Sequence, residues 1–138
     1  STEGRSLQDI MDKDGYLALR DIEARVLASL NLENHVISTG GSAVYSEAAM
    51  SHLKQSSIVI FLEVNLDTLR KRITDYETRG IAKRPDQSFD DLFAERTLLY
   101  RTYADITIAG DGLNQDEVCQ QIMARLADSS YQCPCCAD

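Results

Sequence analysis

Apolar residues in this chain follow two patterns, helical spacing in some stretches and short unbroken runs in others. After Gly15, the chain has apolar residues at helical spacing, namely Leu19, Ile22 and Val26. A shorter helical stretch over residues 7–11 precedes Gly15. The spacing and capping residues predict further helices over four ranges: 46–54, 65–73, 88–103 and 114–126.

Three β-rich runs lie between these helices. Residues 57–62 are continuously apolar, as expected for a parallel strand covered on both faces, and residues 106–108 form a second short strand. A third strand is predicted over residues 35–38, and it ends at Gly40 and Gly41. Strands alternating with helices predict an α/β fold with a parallel sheet and helices on both faces. Ligands of such folds lie beyond the carboxyl ends of the strands, where the two glycines fall.

The last helix pattern places Val118, Ile122 and Leu126 on one face, which we expect to be buried in the core. Cys119 lies beside that face. A buried thiol that packs as a small apolar group is its expected role.

The charge balance limits the partners of this protein. Lys and Arg number 14 against 22 Asp and Glu, a net charge of −8, which opposes nucleic acid and anionic lipid surfaces. An anionic ligand would therefore have to be attracted by a few arginines gathered locally. No window approaches the roughly 20 apolar residues that span a bilayer, so we expect a cytoplasmic protein with no membrane partner.

The chain divides by composition into a domain and a tail. We expect one domain over residues 1–127, with a polar lid over about 76–87, and a flexible tail over 128–138. Cys133, Cys135 and Cys136 lie in this tail without the paired spacing of zinc sites, so no metal site is expected.

Arginines supply the candidate chemistry. Arg20 stands three residues before Glu23, near enough for the carboxylate to orient the guanidinium toward a ligand, although an ordinary surface pair has the same spacing. Gly40 and Gly41 would let backbone N–H groups approach a ligand, although a plain turn needs them equally. Four further arginines bracket the polar stretch, which is either a phosphate-closing lid or a solvated loop. They are Arg72, Arg79, Arg84 and Arg96.

Taken in order, the segments GRSLQDIM, LRDIE, VISTGGSAV and ERTLLYRTYADITI resemble the shikimate kinase family over residues 4–127. The resemblance implies a P-loop nucleoside monophosphate kinase-like fold. It also implies ATP-dependent phosphorylation of a shikimate hydroxyl in aromatic amino acid (chorismate) biosynthesis, with ATP and Mg²⁺ as cofactors. We expect the enzyme to be a monomer whose partner is the small anionic substrate.

The resemblance also assigns roles to individual residues. Arg20 and Arg96 would bind the substrate carboxylate, and Glu23 would orient Arg20. The family's triple glycine, which cradles shikimate, falls on Gly40, Gly41 and Ser42.

On the nucleotide side, the resemblance makes Arg79 the catalytic lid arginine, with Arg84 as the alternate. Arg72 and Arg79 would contact ATP, and Ser38 would lie near the metal. Arg79 follows Arg72 by seven residues, which is similar to the family's spacing.

Two departures from the family pattern affect these expectations. Ser42 replaces the third glycine, and this change leaves the identity of the substrate open. No G-x-x-x-x-G-K-[ST] segment occurs in the 138 residues, so we expect the strand and loop that hold ATP phosphates to precede Ser1 and this chain to be inactive alone. The alternatives are a related kinase, such as gluconate kinase, and a degenerate, non-catalytic homologue that binds an anionic metabolite.

Overall fold

The computed structural model describes residues 3–73 and 81–128. Its first helix, α1 (Leu7–Ala28), contains a break at Gly15, where φ is 84° and ψ is 172°. Glycine tolerates this left-handed φ because it has no Cβ. Ser6 and Asp9 form a capping box that satisfies N–H groups at the start of the helix. The predicted break at Gly15 is confirmed.

The turn over residues 40–42 leads into a 3₁₀ helix (Ala43–Tyr45) and then into α2 (Glu47–Ser56). Ser46 begins α2 by accepting a hydrogen bond from the Ala49 N–H at 3.1 Å. Helix α2 packs on α1, and the 3₁₀ helix contacts α1, α2 and a later helix over Phe89–Tyr103. The turn is therefore held among three helices.

The sheet consists of β1 (Ile60–Glu63) and β2 (Ile106–Ala109), which pair in parallel with Ile60 opposite Ile106. Two helices, α3 (Leu66–Arg72) and α4 (Phe89–Tyr103), lie between these strands in the chain, and α5 (Gln115–Ala127) follows β2. Side chains capping α3, α4 and α5 come from Asn65, Ser88 and Asn114. The predicted α/β class with a parallel sheet is confirmed.

Two apolar clusters hold these elements together. The larger joins the end of α1 to the 3₁₀ helix and α2, with Leu27, Ala49 and Leu53 among its buried members. The smaller consists of Ile10, Leu19 and Ala82. Through this second cluster, α1 holds residues 81–87 beside the 3₁₀ helix and α4, which matters for the site described below.

One predicted strand is wrong. Residues 35–38 pair with no strand in the part of the chain that the structure describes, and Val36 is 99% exposed. Extended residues become a strand only when a neighbour accepts their hydrogen bonds, and no local pattern can supply that neighbour. The first strand also differs from the prediction, since it begins at Ile60 and Leu62 is half exposed.

The predicted core face of α5 is only partly buried. Helix α5 contacts β2, and Val118 and Ile122 are half-buried, whereas Leu126 is 36% exposed. Cys119 is exposed, so its predicted role as a buried thiol is wrong. The periodicity identified the helix and its apolar side, but it does not show how completely another element covers that side.

None of the described helices combines the length and the apolar composition needed to cross a membrane. Residues 74–80, which include the first part of the predicted lid, and residues 129–138, in the predicted tail, lie outside the described residues. The domain boundaries at 127 and 128 therefore stay predictions.

Candidate active site

Six residues selected from the sequence lie together where α1, the turn over residues 40–42 and α4 meet. They are Arg20 and Glu23 on α1, Gly40, Gly41 and Ser42 in the turn, and Arg96 on α4. Helical spacing places the first two side chains on one side of α1. Contacts of the 3₁₀ helix with α1 and α4 bring the remaining residues to that side.

The two arginines converge on a single oxygen atom. Arg20 Nη2 donates to the carbonyl oxygen of Ala82 at 3.0 Å, and Arg96 Nη2 donates to the same oxygen at 2.9 Å. The Nε atoms of both arginines are buried and have no hydrogen-bond partner among the described residues. Buried donors are normally satisfied. Two cations with free donors beside a shared acceptor form a site suited to an oxyanion.

Aromatic rings hold the guanidinium group of Arg20. Its Cζ lies 3.5 Å from the centroid of the Tyr45 ring and 5.0 Å from that of Tyr16. Stacking on a ring face leaves the N–H groups at the guanidinium edge available for hydrogen bonds. The arrangement orients Arg20 without consuming its donors.

Glu23 has a different partner from the one predicted. Its carboxylate accepts a hydrogen bond from the Ser42 hydroxyl, and no ion pair joins it to Arg20 in the described part of the chain. Burial raises the pKa of Glu23 above its ordinary value, although the positive charges of Arg96 and Arg20 act in the opposite direction. Glu23 therefore influences the arginines through its charge, and Ser42 fixes its position.

The two glycines are required by close approaches of side chains. A Cβ on Gly40 would collide with Oε1 of Glu23. On Gly41 it would lie 2.7 Å from Nη1 of Arg96 and 2.8 Å from the hydroxyl of Tyr100, which itself donates to the Gly41 carbonyl at 2.8 Å. The glycines thus let Glu23 and Arg96 reach the turn.

A cavity of about 380 Å³ opens beside these residues. Arg20, Ser42 and Tyr45 line it together with Leu17 and Ala24. This volume lies near the lower end of the range for small-molecule sites. A ligand of a few carbon atoms with polar substituents would fit next to the arginines.

A second layer of the site was not found from the sequence. The Tyr45 hydroxyl donates to Glu95, whose other carboxylate oxygen accepts from Gln87 Nε2 at 3.2 Å. Burial and the hydrogen bond to Glu95 raise the pKa of Tyr45, which keeps its hydroxyl protonated as a donor. Ala82 also escaped notice, because a backbone carbonyl has no sequence signature. The only sequence signal was that Tyr45 directly follows the glycine-containing segment VISTGGSAV.

The remaining predicted residues that the structure describes are exposed. Arg72 is exposed in the last turn of α3, and Arg84 is exposed, with Nη2 at 3.8 Å from Oε2 of Glu95. Ser38 is exposed and belongs to no described strand. Arg79 lies outside the described residues. The structure thus brings the proposed carboxylate-binding residues together, while the described nucleotide-side residues are exposed and Arg84 lies at the margin of the site, beside Glu95.

Comparison with known proteins identifies one family. The model of the family described as shikimate kinase matches residues 1–127. The chain is 34% identical over 125 residues to a shikimate kinase of Aquifex aeolicus, an alignment that covers 90% of this chain and 73% of the relative. It is 37% identical over 126 residues to a shikimate kinase of Mycobacterium leprae, covering 89% of this chain and 63% of that protein.

Comparison of structures gives the same family. The fold is similar to that of a shikimate kinase from Acinetobacter baumannii solved in complex with shikimate, with a TM-score of 0.75 and 26% sequence identity. The match covers 94% of this chain and 75% of that one.

Proposed function

Because the chain belongs to the shikimate kinase family, we propose that it binds shikimate for ATP-dependent phosphorylation of one of its hydroxyl groups. The observation that carries this proposal is the convergence of Arg20 and Arg96 on the carbonyl oxygen of Ala82. That oxygen marks where an acceptor receives hydrogen bonds from both guanidinium groups. The carboxylate of shikimate supplies such an acceptor together with the negative charge that a carbonyl lacks.

The negative charge of the shikimate carboxylate favours its replacing the Ala82 carbonyl oxygen as the acceptor for the two arginines. Hydrogen bonds between ionised partners are about twice as strong as neutral ones. The second carboxylate oxygen would also offer an acceptor to the Nε atoms of Arg20 and Arg96, which have no hydrogen-bond partner among residues 3–73 and 81–128. We expect residues 81–87 to shift when the ligand enters, since the Ala82 carbonyl has to leave its position.

The turn and Glu23 supply contacts for the rest of the substrate. Gly40 and Gly41 present backbone without side chains, so a ring can approach closely. Glu23, fixed by Ser42, offers a carboxylate that accepts hydrogen bonds from substrate hydroxyls. In this proposal Ser42 contributes through Glu23, since its own hydroxyl already donates to that carboxylate.

The nucleotide side of the reaction is proposed from the family alone. Arg79 is the proposed lid arginine that stabilises charge on the transferred phosphoryl group, with Arg84 as alternate, and Arg72 and Arg79 would contact ATP. These 138 residues contain no G-x-x-x-x-G-K-[ST] segment, so they do not fit the phosphates of ATP. Binding of ATP and Mg²⁺ is therefore proposed for a complete enzyme, meaning one that also contains such a segment. A monomeric state and a cytoplasmic location are proposed as well.

Calorimetric titration tests the substrate proposal directly. We expect shikimate to bind, and its methyl ester, which keeps the hydroxyls but lacks the negative charge, to bind at least about tenfold more weakly. No heat with shikimate, or equal affinity for the ester, would refute the proposed carboxylate site. Tighter binding of gluconate would favour the related-kinase alternative. Binding of shikimate without ATP turnover by the complete protein would favour a non-catalytic homologue.

A further inference from the structure

Tyr45 occupies a central place that the proposed roles do not explain. It ends the 3₁₀ helix immediately after the glycine turn and lines the cavity beside Arg20 and Ser42. Its ring centroid lies 3.5 Å from Cζ of Arg20 and 5.6 Å from Cζ of Arg96. One aromatic ring therefore lies within cation–π range of both guanidinium groups.

The ring itself is held at its far end. The Tyr45 hydroxyl donates to Oε1 of Glu95, while Oε2 of Glu95 accepts from Gln87. Gln87 is only 5% exposed, so this acceptor is backed by a buried side chain. The covalent attachment at the turn and the hydrogen bond at the hydroxyl together fix the plane of the ring.

A fixed ring offsets two costs of bringing these arginines together. Two guanidinium groups that donate to one oxygen repel each other, and each long side chain loses rotamer freedom when it is ordered. A ring face attracts the cation electrostatically and restricts its plane without taking any N–H donor. Arg20 therefore reaches the anion with its orientation already set.

We propose that Tyr45 is a positioning residue for the substrate anion, its ring acting as a platform that orients Arg20 and its hydroxyl bond to Glu95 holding that platform in place. The proposal rests on the function proposed above, since the anion is the carboxylate of shikimate. It assigns the main effect to the ring and a smaller effect to the hydroxyl.

Substitutions at Tyr45 separate the ring from the hydroxyl. Tyr45→Leu is expected to weaken shikimate binding about 2- to 30-fold, the range for loss of a cation–π contact from exposed to desolvated settings. Tyr45→Phe keeps the ring and should stay within about threefold of wild type, a loss of up to about one modest hydrogen bond. Tyr16→Leu, which removes the more distant ring, serves as the graded control with a smaller loss than Tyr45→Leu. In the complete enzyme, KM should rise for Tyr45→Leu while kcat changes little.

A ligand-free measurement keeps this test separate from the test of the proposed function. Protons above a ring face resonate upfield, so the Arg20 side-chain signals, assigned with Arg20→Lys, should lie upfield in wild type and Tyr45→Phe. In Tyr45→Leu they should move most of the way back to ordinary positions, since only the more distant Tyr16 ring remains. If Tyr45→Leu does not fold, Tyr45→Met, which is also apolar and lacks a ring, takes its place.

The outcomes are distinguishable. Ordinary Arg20 signals in wild type, or unweakened shikimate binding by folded Tyr45→Leu, would overturn the inference, and so would a Tyr45→Phe variant that binds as poorly as Tyr45→Leu. If wild type does not bind shikimate, the proposed function fails. Acetate titrated by NMR then tests the platform, with weaker binding to Tyr45→Leu supporting it and equal binding overturning it.

Discussion

Two groups of arginines in this protein are built in contrasting ways. Arg20 and Arg96 are partly buried, share one acceptor and lie against aromatic rings or glycine. Arg72 and Arg84 are exposed, and the ion pair of Arg84 with Glu95 spans 3.8 Å. Charges in a partly buried site interact more strongly than exposed ones, which water and salt screen.

The contrast indicates that the two groups of arginines have different functions. The buried pair is organised before any ligand arrives, which suits binding of a fixed group such as a carboxylate. Exposed arginines gain their effect only when a ligand or a closing segment brings them near charge, which suits stabilisation of a transition state. Substitutions in the two groups should therefore affect different kinetic constants.

The largest expected effect belongs to Arg79, the proposed lid arginine, which the family resemblance assigns to the nucleotide side together with Arg72 and Arg84. In the complete enzyme, Arg79→Ala should lower kcat by about 10²- to 10³-fold, as for loss of one preorganised donor to the transition state, with a smaller change in KM. Steady-state kinetics measures both constants. Equal damage from Arg84→Ala would instead reassign the lid role to Arg84.

Next in size is the loss of a carboxylate-binding arginine. Arg20→Ala and Arg96→Ala should each weaken shikimate binding by about 1.5–3 kcal/mol, the range for hydrogen bonds to charged groups. Calorimetry measures this change, and Arg72→Ala, an exposed arginine in the last turn of α3, is the control, with an expected effect on shikimate binding below about 1 kcal/mol as for other exposed charges. Unchanged binding by both variants of the buried pair would remove the basis of the comparison.

A methyl group on the turn should have a smaller effect. Gly41→Ala forces Arg96 Nη1 and the Tyr100 hydroxyl to move, since the new Cβ would lie 2.7 Å and 2.8 Å from them. Both are ends of side chains that can shift, so we expect binding to weaken by about 1 kcal/mol, the scale of one impaired hydrogen bond. Thermal unfolding checks that the fold is retained. Wild-type affinity would show that the approach of Arg96 to the turn is unimportant for the ligand.

The smallest effect concerns pH and stability. Burial raises the pKa of Glu23 in the folded state above its unfolded value of 4.5. The resulting contribution to stability is fully present at a pH below 4.5, and it is lost as the pH rises through the higher folded-state pKa. Relative to Glu23→Gln, wild type should become less stable as pH rises from 4 toward 7. Urea unfolding of both variants measures the difference, in which the other titrating groups largely cancel. A difference that does not change with pH would contradict the assigned cause.

Much of the fold follows from short stretches of sequence. The break at Gly15 and the helix starts at Ser46, Asn65 and Asn114 were predicted correctly. Each depends on contacts within a few residues, such as a capping oxygen and an N–H three positions later. Prediction failed for the strand at residues 35–38 and for the burial of Leu126 and Cys119 on α5, because both depend on which distant elements lie alongside.

The site shows the same limit at the level of single contacts. The sequence by itself determined the local frame: which residues cap helices, where glycine is needed and which arginines belong to a recognisable family pattern. Only the tertiary structure decided that the Ala82 carbonyl accepts a hydrogen bond from Arg20 and that the Arg20 guanidinium stacks on the Tyr45 ring. These contacts join residues far apart in the chain through packing of several elements at once. Local preferences act over a single turn of helix, so they cannot specify which distant groups meet.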